Sequence, residues 1–303
     1  MTEFSVMGRT VQTANLPPSL EQWLHAHWRF DEHETGEAGF DIVVARGARP
    51  RTPLPAPGPV VRIPRIELPC RTLGEDDWMI GDEAAGVRLA LGTAGSRIEP
   101  YGLEEESRRE LLRGALFMAV YESLRASGLV PLHASVIARN GEATALLARS
   151  GTGKSSTLVQ AVRGGWDPVA EDFAWLDPVT LQVYGWDRGV HLWPDARRRF
   201  APDLPGRMGA DGKLFIPWDA LGGARPGGAR LASVALLSRD ANRPSRWEAL
   251  PEREAVRALW ESIGVPLSAA SRAAVAGLIP ALLRRVWTRR LILGGTPLPL
   301  AGP

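Results

Sequence analysis

One glycine-rich segment of the chain combines the residue types that bind a polyphosphate. It reads Ser150-Gly151-Thr152-Gly153-Lys154-Ser155-Ser156. In such a P-loop the glycines let backbone N–H groups face phosphate oxygens, the lysine reaches the outer phosphates, and the hydroxyl after the lysine ligates Mg²⁺. The pattern predicts that residues 150–156 bind ATP, with Lys154 at the outer phosphates and Ser155 on the metal ion.

Lysine is scarce in this chain, and the loop holds one of its two copies. The other is Lys213, and together lysine and arginine number 36. A lysine ammonium is a compact point charge that fits a tight loop around phosphate, whereas arginine is a planar fork. The same scarcity makes Lys213 a candidate second cation beside the nucleotide, where it would stabilise a transferring phosphoryl group. An ordinary turn lysine is the alternative.

Two adjacent carboxylates follow the loop, at Glu171 and Asp172. Phosphoryl transfer to an alcohol needs a carboxylate that takes or orients the hydroxyl proton, and an acidic ligand for the metal ion. We expect Asp172 to share the metal ion with Ser155, and the residues leave open which of the two carboxylates is the base. The alternative is a pair of solvated carboxylates at the entrance of a strand.

Histidines supply further candidates near the loop. His133 lies at the mouth of the strand hairpin that leads into the loop, where an imidazole could contact phosphate or acceptor, although a structural histidine is the alternative. Arg188 and His191 follow the acidic pair and could line the acceptor side. Tryptophans are frequent in the same region, at positions typical of core and cleft wall rather than of a base-stacking surface: 166, 175, 186, 193 and 218.

A strand hairpin and a helix are predicted to hold the loop in place. Ser135–Arg139 and Ala143–Ala148 have strand patterns, and Asn140-Gly141 between them is the pair preferred in a type I′ turn, because both positions need positive φ. The second strand runs into the loop, and Ser156–Arg163 continues as a helix. This order of strand, glycine loop and helix is the context that a P-loop requires.

Further elements are predicted on both sides of this core. The apolar spacing predicts strands over Val169–Leu176, Leu181–Trp186 and Leu231–Leu237, and helices over Leu103–Ser127, Arg253–Ile263 and Ala269–Trp287. Before residue 103 the pattern predicts a helix over Leu20–Trp28 and strands over Phe40–Ala45, Val60–Leu68 and Val87–Leu91. We therefore expect a mixed α/β protein, with a β-rich domain at 1–102 and the nucleotide-binding domain at 103–303.

The combination of His133, the hairpin, the loop and the acidic pair resembles the HPr kinase/phosphorylase superfamily, whose kinase core is related to phosphoenolpyruvate carboxykinase. In that superfamily a histidine opens the hairpin, a GxSGxGKS loop follows, and an acidic pair comes after the loop helix. The resemblance covers residues 115–240. It implies a P-loop kinase core of that fold, ATP and Mg²⁺ as cofactors, and phosphorylation of a serine-type hydroxyl, with His133 and the acidic pair as site residues.

Several positions depart from the superfamily pattern. Ala148 stands at the first glycine of the loop, Glu171 stands where the family has an aspartate, and a segment for the reverse reaction is not recognisable. The amino-terminal half also differs, and it fits better the stand-alone HPr-kinase-like proteins, some of which phosphorylate peptide precursors such as those of lasso peptides. The resemblance thus implies a protein or peptide acceptor, and a small alcohol stays open. Members of the superfamily often assemble, so a homo-oligomer also stays open.

Composition excludes several other classes of protein. The hydrophobic fraction of 45% and the charged fraction of 23% are those of a globular protein. A net charge of +2 without a basic stripe argues against a nucleic-acid partner, and Cys70 alone cannot form a disulfide framework. Neither a signal peptide nor an apolar span of membrane length is visible, so we expect a cytoplasmic protein with no membrane partner.

Two other functions compete with a kinase. A P-loop ATPase or GTPase would carry an aspartate at the end of an apolar strand, and the candidate, Asp240, comes only after Ser238-Arg239. A nucleotide-binding regulator without catalytic activity is the other alternative, which Ala148 and Glu171 leave open.

Overall fold

Two compact units make up the chain. One comprises Met1–Leu129 with Pro266–Ala274, and the other comprises Val130–Val265 with Val275–Pro303. The computed structural model describes residues 2–28, 39–50, 54–56, 58, 60–63, 66–209, 211–222, 227–296 and 298–299. The domain border predicted at residue 102 lies one helix before the division at residue 129.

The first unit is built on an eight-stranded mixed sheet. Its strands are Thr2–Val6 (β1), Arg9–Ala14 (β2), Asp41–Ala45 (β3), Val60–Ile63 (β4), Ile66–Gly74 (β5), Asp77–Gly81 (β6), Gly86–Leu91 (β7) and Gly95–Tyr101 (β8). Their spatial order is β1-β2-β3-β8-β7-β6-β5-β4, with β3 parallel to both of its neighbours. The helices of this unit are Pro18–Trp28 (α1) and Arg109–Ala126 (α2), and a short 3-10 helix, Glu106–Arg108, precedes α2.

The predictions for this unit are largely confirmed. The predicted helices at 20–28 and 103–127 correspond to α1 and α2, and α2 packs its apolar stripe on strands β5 to β8. The predicted single strand Val60–Leu68 is wrong in extent. It is a hairpin instead, because β4 ends at Ile63 and β5 begins at Ile66, and the two strands pair antiparallel.

The second unit contains a nine-stranded mixed sheet and a three-stranded sheet. Its strands are Val130–His133 (β9), Ser135–Arg139 (β10), Glu142–Leu147 (β11), Asp167–Ala170 (β12), Phe173–Leu176 (β13), Gln182–Gly185 (β14), Gly189–Leu192 (β15), Arg207–Met208 (β16), Leu214–Pro217 (β17), Ala229–Arg239 (β18), Arg246–Ala249 (β19) and Trp287–Leu293 (β20). Its helices are Lys154–Arg163 (α3), Pro194–Phe200 (α4), Trp218–Leu221 (α5), Glu252–Ile263 (α6) and the later part of Ala269–Leu283 (α7).

The order of the large sheet brings the ends of several strands to one edge. The sheet runs β12-β10-β11-β18-β14-β13-β9, and β18 also pairs with β20, which pairs with β19. Strand β11 is parallel to β18, and β12 and β11 are both antiparallel to β10, so these three strands end at the same edge. The glycine loop after β11 and the acidic pair after β12 therefore lie at that edge.

Alternating side chains give the large sheet two buried faces. Val136, Ala145 and Val234 lie in one core cluster with residues of α6 and α7. Ile137 and Leu146, one position along the same strands, lie in a second cluster with residues of α3 and of the three-stranded sheet. This period of two is what an extended strand imposes. The mixed α/β class predicted from the sequence is confirmed.

Two predicted elements of the second unit differ from the structure. The predicted strand Val169–Leu176 is broken into β12 and β13, because the backbone N–H groups between them bind a side chain instead of a neighbouring strand. The predicted helix Ala269–Trp287 ends at Leu283, where the carbonyl of Leu282 accepts the N–H groups of Arg285 and Val286. Trp287 begins β20, which fills the place between β18 and β19.

Candidate active site

The glycine loop connects β11 to α3 as the sequence predicts. Asn140 and Gly141 in the preceding hairpin have φ values of 54° and 80°, which confirms the predicted type of turn. Gly151 and Gly153 have φ values of 79° and 121°, which side chains disfavour, and α3 begins at Lys154. The first N–H groups of a helix lack intrahelical partners and favour an anion, so the loop has the backbone geometry of a phosphate site.

The Lys154 ammonium is buried between two predicted site residues. Only 8% of Lys154 is exposed, and its Nζ lies 2.5 Å from Nε2 of His133 and 3.2 Å from Oδ1 of Asp172. Burial lowers the pKa of His133, opposed by the Asp172 charge and assisted by that of Lys154. A neutral imidazole can accept from the ammonium through Nε2, while its Nδ1 lies 3.4 Å from Asp172 Oδ1.

The carboxylate of Glu171 faces the next residue of the loop. The Ser155 hydroxyl donates a hydrogen bond to Glu171 Oε1, and Oε2 of the same carboxylate lies 3.5 Å from Nδ1 of His191. The hydrogen bond to Glu171 raises the pKa of His191 above its ordinary value. The two adjacent carboxylates thus have different partners: Glu171 contacts Ser155, and Asp172 contacts Lys154.

Asp187 holds the acidic pair in place, and sequence reasoning missed it. Its Oδ2 accepts hydrogen bonds from the backbone N–H groups of Glu171, Asp172 and Phe173 at 2.8, 2.9 and 3.0 Å. Burial and the nearby charge of Glu171 raise the pKa of Asp187 to about 7, although the three N–H donors favour its ionised form. The sequence signal that could have identified Asp187 is its position directly after the apolar strand predicted to end at Trp186.

A cavity of about 830 Å³ opens beside the loop. Its wall includes Lys154, Ser155, the acidic pair, His133 and His191, together with Trp193 before α4, Arg199 and Phe200 on α4, and Lys213 in the following hairpin. Lys213 lies in the turn of that hairpin, with its ammonium 5.6 Å from the ring centroid of Trp193. Arg188 is exposed and is not part of this wall.

A second cavity, of about 1110 Å³, adjoins the first along the loop. The end of β18 and one face of α6 line it together with residues 147–152, and the two cavities share His133, Arg239 and the segment 149–151. Arg239 Nε donates a hydrogen bond to the Thr152 carbonyl at 2.6 Å. Unlike Arg188, the predicted site residues Ser150 to Ser156 and those at 133, 171, 172 and 213 lie on the wall of one cavity or both.

The residues beside the loop fit a magnesium ion. A hydroxyl and a carboxylate oxygen meet at Ser155 and Glu171, and Mg²⁺ is typically held by one or two carboxylates, with phosphates and waters completing its shell. Among the described residues no group of three or more His, Cys, Asp or Glu could hold a metal ion. The sequence predicted Asp172 as the partner of Ser155, whereas the carboxylate that contacts Ser155 here is that of Glu171.

Comparison with known proteins adds no assignment. No protein-family model matches the chain, and no curated protein matches it. None of the described helices is long and apolar enough to cross a membrane. The resemblance to HPr kinases therefore remains a prediction, and its support comes from the geometry around Lys154.

Proposed function

We propose that the chain is an ATP-dependent kinase with an HPr-kinase-like core, which phosphorylates a serine-type hydroxyl of a protein or peptide. One observation carries the proposal. The loop lysine contacts one carboxylate, Asp172, and the residue after it, Ser155, contacts the adjacent carboxylate, Glu171. A phosphate loop and two carboxylates with separate partners are the groups that phosphoryl transfer to an alcohol requires.

Ser155 and Glu171 form the metal side of the proposed site. Both offer oxygen ligands at the start of α3, where the loop N–H groups would hold the phosphates. A bound Mg²⁺ would neutralise charge on the transferred phosphate and on the leaving oxygen. His191, hydrogen-bonded to Glu171, orients that carboxylate.

Asp172 is the base of the proposed reaction. Its side chain is 34% exposed, whereas that of Glu171 is 7% exposed, so an acceptor can reach Asp172 more easily. The acceptor oxygen forms a bond to the γ-phosphorus while the bond from phosphorus to the ADP oxygen breaks, and the hydroxyl proton passes to Asp172. Lys154 leaves its contact with Asp172 for the phosphates when nucleotide binds, which frees the carboxylate for the acceptor.

The competing ATPase hypothesis has less support. Strand β18 lies parallel to β11, the place where such enzymes carry an acidic residue, but its last residue is Arg239. Asp240 instead lies 3.8 Å from guanidinium nitrogens of Arg243 and Arg246. Its carboxylate is thus engaged away from the loop.

A labelling experiment tests the proposal. The purified protein is incubated with γ-labelled ATP, Mg²⁺ and a library of serine-containing peptides, and labelled peptide and free phosphate are counted separately. A kinase transfers label to peptide, an ATPase releases phosphate alone, and a regulator does neither.

Variants of the site residues test whether any observed phosphoryl transfer takes place at this site. Lys154→Ala should abolish transfer, and Asp172→Asn should reduce it by at least 100-fold, on the order of the general-base contribution, with ATP binding retained. Arg163→Ala, at the exposed far end of α3, is the matched control and should transfer normally. Transfer at the wild-type rate by both site variants would show that the site is assigned wrongly.

A further inference from the structure

We infer that Trp193 is the stacking surface for the base of the nucleotide, an inference that rests on the proposed function. The residue lies on the wall of the 830 Å³ cavity, immediately before α4. Its indole is 55% exposed, whereas Trp175, Trp186 and Trp218 of the same unit are 0%, 7% and 7% exposed. Trp193 is therefore exposed where these three tryptophans are buried, and it faces the cavity that holds the loop.

The direction of the triphosphate places the nucleoside toward Trp193. In a P-loop the lysine reaches the β- and γ-phosphates, and the amides at the start of the helix hold the α- and β-phosphates. The Lys154 ammonium points to Asp172 and His133, so the outer phosphate belongs at that end. The nucleoside then leaves from the other end of the triphosphate, beside Ser156, because Ser155 is the proposed ligand of the Mg²⁺ at the outer phosphates.

The two cavities meet different parts of the loop. Lys154, Ser155 and Ser156 line the 830 Å³ cavity and are not among the residues that line the larger one, whose wall holds Thr152 instead. The nucleoside end of the loop therefore opens into the cavity that contains Trp193. Its volume lies within the range of about 300–1,000 Å³ that is usual for small-molecule sites.

One face of the Trp193 ring is already covered. The Lys213 ammonium lies 5.6 Å from the ring centroid, and a Cβ added at Gly212 would lie 3.7 Å from Cζ3 of the ring. The hairpin turn that contains these two residues thus packs on the indole. Since more than half of Trp193 stays exposed, the other face is open to the cavity, as a stacking surface for a flat heterocycle has to be.

Stacking also predicts which nucleotides bind. Every base has an aromatic face, so a stacking surface gives affinity with little choice among bases. The inference is therefore of a nucleoside triphosphate site with little base preference, which accepts ATP and GTP with similar affinity. Lys213, retained as one of two lysines, would fix the platform through its contact with the ring.

Calorimetric titration with three ligands tests the inference. The ligands are MgATP, MgGTP and magnesium tripolyphosphate, which has the phosphate chain without a nucleoside. Trp193→Ala should weaken ATP and GTP binding by on the order of tenfold and change tripolyphosphate affinity by less than about twofold, because stacking contributes only to the nucleoside. Trp193→Phe keeps an aromatic face and should retain most of the affinity.

Trp287→Ala is the matched control, because Trp287 is also exposed, at 73%, and lines neither of these cavities. It should bind all three ligands like the wild type. Unchanged ATP affinity in Trp193→Ala, or equal weakening of ATP and tripolyphosphate, would overturn the inference. Failure of the wild type to bind either ATP or tripolyphosphate would instead refute the proposed function, so the two failures are distinguishable.

Discussion

The side chain of Asp187 and the backbone of Asp172 are joined by a hydrogen bond of 2.9 Å across 15 residues of chain. The same carboxylate oxygen accepts the N–H groups of Glu171 and Phe173. These three amides would otherwise continue one strand from β12 into β13. Asp187 therefore produces the break in the sheet that turns both carboxylates of the acidic pair toward the loop.

Removal of this acceptor should disturb the acidic pair more than the nucleotide site. Asp187→Ala leaves three partly buried N–H groups without their acceptor, and an unsatisfied buried donor costs about 1–3 kcal/mol. Because water can reach part of the site, we expect a loss of about 2–3 kcal/mol in the free energy of unfolding. The turnover number should fall at least tenfold with little change in ATP affinity, since the loop itself is untouched.

Asp187→Asn keeps a hydrogen-bond acceptor at this position and removes its negative charge. The amide oxygen can still accept the backbone N–H groups, so this variant should recover most of the stability and part of the turnover. Denaturant titration and steady-state transfer kinetics measure the two quantities. Equal losses in the alanine and asparagine variants would argue against the hydrogen bonds as the cause.

The two residues of the acidic pair should have different functions, which kinetic measurements can distinguish. Glu171→Gln weakens the metal side at Ser155, so transfer should need a higher Mg²⁺ concentration and recover in part when Mg²⁺ is raised. Asp172→Asn removes the proposed base, so its defect should persist at every Mg²⁺ concentration. Rates measured across a Mg²⁺ series provide the check, and rescue of Asp172→Asn by Mg²⁺ would reverse the assignment.

The sequence predicted the local parts of the site better than its assembly. The glycine loop, the Asn140-Gly141 turn and α3 follow from residue types within a few positions, because turn and helix geometry are set locally. The sequence predicted that Ser155 shares the metal ion with Asp172, whereas Ser155 contacts Glu171. That contact depends on the direction in which the chain leaves β12. The bend is fixed by Asp187, whose hydrogen bonds span 14 to 16 residues, and no local pattern encodes it.

Strand β20 also depends on contacts that the local sequence does not reveal. The predicted helix Ala269–Trp287 extends past the observed end of α7 at Leu283 and includes Trp287, the first residue of β20. What makes Trp287–Leu293 a strand is its position between β18 and β19. Pairing with two strands from other parts of the chain overrides local propensity.

The contact between His191 and Glu171 should give folding stability a pH dependence. The pKa of His191 is raised in the folded state, so its stabilising contribution is complete below the unfolded value, about 6.5, and is lost as pH rises through the folded value. His191→Gln should therefore lose stability at pH 5.5 and little at pH 9. Denaturant titrations at both values test this, and Glu171→Gln should flatten the same dependence by removing the partner. An equal loss at both pH values would exclude protonation as the cause.

Gly153 allows a comparison of backbone strain with a side-chain collision. Its φ of 121° is a conformation that side chains disfavour, and an added Cβ would also lie 3.2 Å from Nη2 of Arg239. The strain costs about 1–3 kcal/mol, whereas the end of an arginine side chain can move away from a new methyl group. We therefore expect Gly153→Ala to weaken ATP binding by on the order of tenfold, the equivalent of about 1.4 kcal/mol.

A double variant distinguishes the two causes. Arg239→Ala removes the closer of the two contacts of the added Cβ, the other being Leu293 Cδ1 at 3.3 Å, but leaves φ unchanged, so it should not restore ATP affinity to Gly153→Ala. It should instead weaken binding slightly by itself, because the Thr152 carbonyl loses its hydrogen bond from Arg239 Nε. The measurement is ATP affinity in the two single variants and the double variant. Wild-type affinity in the double variant would show that the collision, and not the backbone, makes glycine necessary at this position.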